Sequence, residues 1–159
     1  MNIKRFLKFG HYTGKYPDLF FKKFQSFSKL PQDIKTVHLI IQKILNEFDP
    51  RKYYVTNTRN LKLSRFLSVS SIIKMRLRTC GSISAVCATI LRKLGYHTKL
   101  VDGYIIERSQ KRRHAWIEVY IQKEKKFIAL DPFMYGYKVN SKAYRRNIYL
   151  DWYEMEKKK

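Results

Sequence analysis

The chain has 159 residues, of which 45% are hydrophobic and 15% aromatic. This length suits one domain with one hydrophobic core, and the apolar content argues against a disordered chain. Lys and Arg total 34 against 12 Asp and Glu, which gives a formal net charge of +22. Such a charge favours an anionic partner (nucleic acid, a membrane surface or an acidic protein), although lysines spread over a solvated surface account for it equally well.

The N-terminus and the cysteines indicate a cellular compartment. Residues 1–9 alternate basic and apolar side chains and lack the uninterrupted apolar stretch of a signal peptide. The apolar runs are also too short to span a membrane. Cys80 and Cys87 are too few for a disulfide framework, and seven residues of one helix separate them by about 10 Å, beyond bridging distance. The sequence therefore predicts reduced thiols, a cytoplasmic protein and no membrane span.

The first half of the chain is predicted to be mainly helical. Residues 1–30 are rich in Lys and Phe, and the spacing of their aromatic residues predicts one or two short amphipathic helices that cover the core. A clearer helix is expected from Pro31 to about Phe48, because apolar residues recur there every three or four positions. Residues 51–60 are polar and predict a loop or a short extended segment, whereas residues 61–77 predict a short helix followed by a loop.

The second half of the chain combines one helix with several strands. A single apolar stripe predicts a helix from Gly81 to Leu94, and Gly95 ends it. Three strands are expected after it, at residues 98–106, 115–121 and 127–130. A turn at Glu124-Lys125 joins the second of these strands to the third, and a final strand or helix is expected near residues 148–153. With no repeat or linker, the sequence predicts a single α+β domain.

Three polar residues at the edges of these elements are the candidate catalytic residues. Cys80 opens the predicted 81–94 helix, where free N–H groups and the positive end of the helix dipole stabilise a thiolate. His114 precedes the second strand and Asp131 ends the third, so pairing of these strands would bring the two together. A thiol, a base and a carboxylate that orients the base form an activated nucleophile. They predict acyl transfer through a Cys80 thioester.

Residues near this triad have supporting roles in the same hypothesis. Thr79 is expected to cap the helix, and Gly81 to let a substrate backbone approach the thiol. Arg113 and Trp116, which flank His114, are candidate substrate contacts. The basic run Lys111-Arg112-Arg113 would also guide an acidic substrate to the site and help to keep Cys80 ionised. No metal or cofactor is expected.

Residues 78–132 resemble the transglutaminase-like superfamily. The residues that carry the resemblance are, in chain order, Cys80-Gly81-Ser82, Leu94-Gly95, Val101-Asp102-Gly103, His114-Ala115-Trp116-Ile117-Glu118-Val119 and Leu130-Asp131-Pro132. The resemblance implies a papain-like α+β fold, in which the helix that bears the nucleophile packs on a small antiparallel sheet. It also implies that Cys80 is the nucleophile, His114 the general base and then acid, and Asp131 the group that orients it.

The sequence departs from this family at the oxyanion hole. Many members have a Trp or Gln upstream of the Cys that helps to form it. No Trp precedes Cys80, and the nearest preceding Gln is Gln42, inside the predicted second helix. The candidate substitutes are Tyr53, Tyr54, Asn57 and Asn60. Loss of one oxyanion donor raises the barrier by about 3 kcal/mol, which slows the chemistry without abolishing it.

The whole chain is predicted to be one domain, with a helical part at residues 1–60 and a catalytic core at 78–132. Two functions fit this organisation. The first is hydrolysis or transfer of an amide acyl group from a peptide or protein, with an acidic substrate favoured by the charge. Hydrolysis is preferred because no accessory domain for a second protein substrate is visible. The alternative is a basic module that binds nucleic acid or protein on an inert scaffold, supported by the aromatic and basic residues of 138–146.

Overall fold

The computed structural model describes residues 18–49, 67–107, 109–134, 137–138 and 143–149. The helices are α1 (Asp18–Lys22), α2 (Ile34–Glu47), α3 (Val69–Lys74) and α4 (Cys80–Lys93), with short 3-10 helices at Gln25–Lys29 and Gln122–Glu124. The strands are β1 (Thr98–Glu107), β2 (Gln110–Ile121), β3 (Lys126–Asp131), β4 (Tyr137–Lys138) and β5 (Tyr144–Tyr149). The described chain is thus α+β, with its α-helices ahead of its strands.

The strands form one antiparallel sheet in the order β4-β3-β2-β1-β5. The three strands predicted from the sequence are confirmed, but β2 begins at Gln110, earlier than the predicted start at residue 115. His114 therefore lies inside β2, opposite Gly103 of β1, and does not precede the strand as predicted. The first residues of β2 are basic and exposed, so they lack the alternation that marks a strand, yet their backbone pairs with β1.

The core lies around α4, which contacts β1, β2, α2 and α3. Nearly the whole length of α4 is buried, from Ser82 to Arg92. The side of β2 that alternates with Trp116 contributes Ile117, Val119 and Ile121 to this core. The buried apolar residues of α2 are Val37, Ile40, Ile41, Ile44 and Leu45. The apolar periodicity of the two long helices thus predicted their buried faces correctly.

The helix ends follow from local capping. The side chain of Asp33 accepts a hydrogen bond from the Thr36 N–H at 2.8 Å, so α2 begins after Asp33 and not at Pro31. At the end of α4, Gly95 has a φ of +90°, which glycine adopts without strain. The last element within the described residues is a strand, β5, that begins at Tyr144, before the predicted residues 148–153.

The segment before α2 covers the core with aromatic rings. Phe20 and Phe24 are buried, with ring centroids 5.4 Å apart, and Phe20 packs edge-on against Phe48 at 6.0 Å. The predicted N-terminal covering is thus present from residue 18 onward. The rest of the N-terminal prediction, the predicted loop at 51–60 and the four substitute oxyanion residues lie outside the described residues.

Replacing Gly103 with Ala is expected to destabilise the sheet by about 1–3 kcal/mol, because a methyl group has no space there. Its Cβ would lie 2.3 Å from the backbone oxygen of Arg145 and 2.6 Å from the Trp116 ring. Gly81→Ala is the matched control, since the nearest atom to its added Cβ is 4.0 Å away. Thermal unfolding of both variants measures the effect. Equal melting temperatures for the two would contradict this packing argument.

Candidate active site

Cys80 is the first residue of α4, and a capping box fixes that helix start. The Thr79 hydroxyl accepts a hydrogen bond from the Ser82 N–H at 3.1 Å, and the Ser82 hydroxyl oxygen accepts one from the Thr79 N–H at 2.7 Å. Both capping residues are buried, whereas Cys80 is partly exposed. The sequence thus places a reachable thiol at the positive end of a long, rigid helix.

His114 and Asp131 meet across the pair formed by β2 and β3. His114 Nε2 lies 2.6 Å from Asp131 Oδ2, and both side chains are buried. The register pairs Ile117 with Leu130, which brings the end of β3 alongside the middle of β2. With Nε2 directed at the carboxylate, Nδ1 is the ring nitrogen left for Cys80.

The surroundings of Cys80 and His114 shift the pKa values of both side chains. Burial raises the pKa of Cys80, but the hydrogen bond to His114 and the charge of that imidazole outweigh it, so the pKa lies below its ordinary value. Burial lowers the pKa of His114, whereas hydrogen bonds and charge from Asp131 and Cys80 raise it to about 9. These opposite shifts favour a thiolate beside an imidazolium at neutral pH.

The Asp131 carboxylate has hydrogen-bond donors at both oxygens. Oδ1 accepts from the backbone N–H groups of Phe133 and Met134 at 3.1 and 3.2 Å. Oδ2 accepts from the Tyr144 hydroxyl at 2.7 Å, in addition to its contact with His114. Tyr144 was missed in the sequence because it belongs to β5, which joins the sheet beside β1 through long-range pairing. Its hydroxyl thus contacts Asp131 from the far side of the sheet.

The model of the transglutaminase-like superfamily matches residues 25–132. The chain belongs to this superfamily. A crystal structure of a proposed cysteine protease from Cytophaga hutchinsonii is similar in fold, with a TM-score of 0.64 and 20% sequence identity. The similarity covers 91% of the present chain but 45% of the other chain. No curated protein matches the sequence. The predicted family and the transglutaminase-like, papain-like α+β fold are both confirmed.

The predicted substrate contacts of this transglutaminase-like chain occupy different surroundings. A Cβ added at Gly81 would have Thr79 Oγ1, 4.0 Å away, as its nearest neighbour, so the position is uncrowded. Trp116 is 2% exposed, and its ring packs on Gly103 and edge-on against Tyr144, with centroids 5.3 Å apart. Arg113 binds the buried Asp102, with Nη2 2.7 Å from Oδ2. Trp116 and Arg113 thus contact the protein itself, and a direct substrate contact stays a prediction for all three.

Cys87 and Gln42 lie apart from the candidate site residues. Cys87 is fully buried, and burial raises the pKa of its thiol, so Cys80 is the reactive candidate of the two free cysteines. Gln42 is exposed on α2, where it donates to Asn46 at 3.3 Å. Over the described ranges, no cluster of three or more His, Cys, Asp or Glu residues could hold a metal ion. The helices in these ranges are also too short or too polar to cross a bilayer.

Proposed function

We propose that this protein is a cysteine-dependent peptidase or amidase that works through a thioester on Cys80. The observation that carries the proposal is the chain of contacts from Cys80 through His114 to Asp131, with a 2.6 Å distance between His114 Nε2 and Asp131 Oδ2. Membership of the transglutaminase-like superfamily supports a cysteine-dependent enzyme, and the likeness to a proposed cysteine protease fits a peptide or protein substrate.

The first half of the reaction forms an acyl-enzyme. The Cys80 thiolate attacks the amide carbon, a sulfur–carbon bond forms, and the carbonyl electron pair moves to oxygen. In this proposal, backbone N–H groups at the start of α4 donate to that oxyanion. When the carbon–nitrogen bond breaks, the His114 imidazolium donates its Nδ1 proton to the departing amine. Asp131 remains ionised and holds the ring in place.

The second half returns the enzyme to its starting state. Neutral His114 takes a proton from water, the resulting hydroxide attacks the thioester carbon, and the carbon–sulfur bond breaks to release the acid and the Cys80 thiolate. An amine in place of water would give transamidation from the same thioester. Binding of nucleic acid stays a prediction that rests on the net charge and on the basic and aromatic residues of 138–146.

Iodoacetamide is expected to alkylate Cys80 rapidly well below pH 8.5, about the pKa of a free cysteine, because His114 favours the thiolate. Mass spectrometry of the native protein across a pH series measures this rate. Cys87 is an internal control, since it is buried and should stay unmodified. With p-nitrophenyl acetate, Cys80 should gain an acetyl group as p-nitrophenolate leaves, and Cys80→Ala should not. A Cys80 that titrates like a free thiol and takes no acetyl group would refute the proposal.

A further inference from the structure

Arg78 is a second functional candidate on the segment that leads into the nucleophile. Thr79 separates it from Cys80 and has extended backbone angles, φ −124° and ψ 167°. Alternate side chains of an extended segment project from the same side of the backbone. This alternation predicts that the guanidinium of Arg78 and the thiol of Cys80 face the same region.

Two contacts hold the Arg78 side chain in place. Its Nε donates to the backbone oxygen of Phe48, directly after α2, at 3.1 Å. Its guanidinium carbon lies 5.6 Å from the centroid of the Phe133 ring. The same ring lies edge-on to His114, with ring centroids 6.3 Å apart. Phe133 thus contacts both the arginine and the catalytic imidazole, which ties the position of Arg78 to the triad.

Arg78 also differs from Arg113, the basic residue predicted to contact substrate, in its ion pairing. Arg113 is neutralised by Asp102, whereas no carboxylate within the described part of the chain forms an ion pair with Arg78. Its Nε is occupied by Phe48, which leaves the two terminal nitrogens as a planar pair of donors. Such a pair matches the two oxygens of a carboxylate.

We propose that Arg78, packed against the Phe133 ring, forms a carboxylate-binding subsite. This subsite selects acyl substrates with an anionic group next to the scissile amide. The proposal rests on the proposed function, because it gives that function a substrate class. The carboxylate can belong to an acidic side chain or to the free end of a peptide, and the two sources need separate tests.

The first test compares the alkylation of Cys80 by iodoacetate, which carries a carboxylate, with that by neutral iodoacetamide. Both reagents lose iodide to the same thiolate, so the ratio of their rates isolates the effect of the carboxylate. Arg78→Gln is expected to lower the iodoacetate-to-iodoacetamide ratio about tenfold. Arg76→Gln, which removes the same charge from an exposed turn two residues away, should leave the ratio near that of the wild type.

Each result of this test bears on one proposal. An equal fall in Arg78→Gln and Arg76→Gln, or no fall in either, would overturn the subsite. A Cys80 that reacts with neither reagent would instead refute the proposed function. If Arg78→Gln lowers the melting temperature, Arg78→Lys is the second variant. It keeps the charge but loses the planar pair of donors, and its ratio should lie between those of Arg78→Gln and the wild type.

The second test uses synthetic peptides in which each Glu is matched by Gln and each free C-terminus by an amide. Faster cleavage next to Glu than next to Gln, lost in Arg78→Gln but kept in Arg76→Gln, identifies an acidic side chain as the ligand. Faster cleavage of free over amidated ends, with the same pattern among the variants, identifies the terminal carboxylate. Cleavage without either preference would overturn the subsite while leaving the proposed function intact.

Discussion

Replacing His114 with Gln is expected to lower turnover roughly 10²- to 10⁴-fold, the usual contribution of a general acid–base. The same change should raise the pKa of Cys80 above its ordinary value. Burial raises that pKa, and the hydrogen bond and charge of His114 are the main causes that oppose it. Gln is chosen because its amide can still donate to the buried Asp131 carboxylate, which would otherwise lose a partner.

The alkylation of Cys80 by iodoacetamide measures this effect directly and needs no substrate. In the wild type the rate should persist in mildly acidic solution, whereas in His114→Gln it should appear only in alkaline solution. His38→Gln, on the exposed side of α2, is the control and should match the wild type. A His114→Gln protein that folds and keeps the wild-type profile would show that the imidazole does not activate Cys80.

The sequence predicted the helix that begins at Cys80 well because the signals there are local. Thr79 caps the start of α4, and apolar residues recur along the helix every three or four positions. Gly95, just after the last turn, ends it. The apolar spacing of α2 also predicted that helix, although the Asp33 cap starts it later than the predicted Pro31. Such features depend on neighbours in the chain, so they can be recognised without knowledge of the fold.

The parts that the sequence did not predict depend on contacts between distant segments. The start of β2 carries exposed basic side chains, and only its pairing with β1 makes it a strand. Tyr144 reaches Asp131 from β5, thirteen residues later in the chain. The sequence alone does not show which of Arg113 and Arg78 forms an ion pair with a carboxylate. The position of Asp102 on β1 neutralises Arg113, and no described carboxylate does so for Arg78.

Asp131→Asn is expected to lower turnover by a similarly large factor, roughly 10²- to 10⁴-fold. An amide has one acceptor oxygen where the carboxylate has two. If that oxygen accepts from the N–H groups of Phe133 and Met134, the amide NH₂ faces His114 Nε2. A neutral imidazole must then accept at Nε2 and carry its proton on Nδ1, where it can no longer take the proton of the Cys80 thiol.

The pH dependence of Asp131→Asn follows from the raised pKa of His114. In the wild type this pKa is about 9, so activity that needs the imidazolium should fall above about pH 9. Asp131 is a main cause of the increase, so the alkaline limb should move to lower pH in the variant. Because the pKa of His114 is higher in the folded state than in the unfolded state, protonation of His114 stabilises the fold. This contribution is complete below about pH 6.5, the ordinary pKa of histidine, and is lost as the pH rises through 9. The wild type should therefore exceed the variant in unfolding free energy by more at pH 6.5 than at pH 9.5.

Tyr144→Phe distinguishes loss of the Asp131 carboxylate from loss of one of its donors. The variant keeps the aromatic contacts with Trp116 and His114, at 5.3 and 6.0 Å, but removes the 2.7 Å hydrogen bond to Oδ2. Since His114 still donates to an ionised carboxylate, turnover should fall only about tenfold. The alkaline limb should not move to lower pH as it does in Asp131→Asn. If Tyr144→Phe lost as much activity as Asp131→Asn, the position of the carboxylate, and not its charge, would control the imidazole.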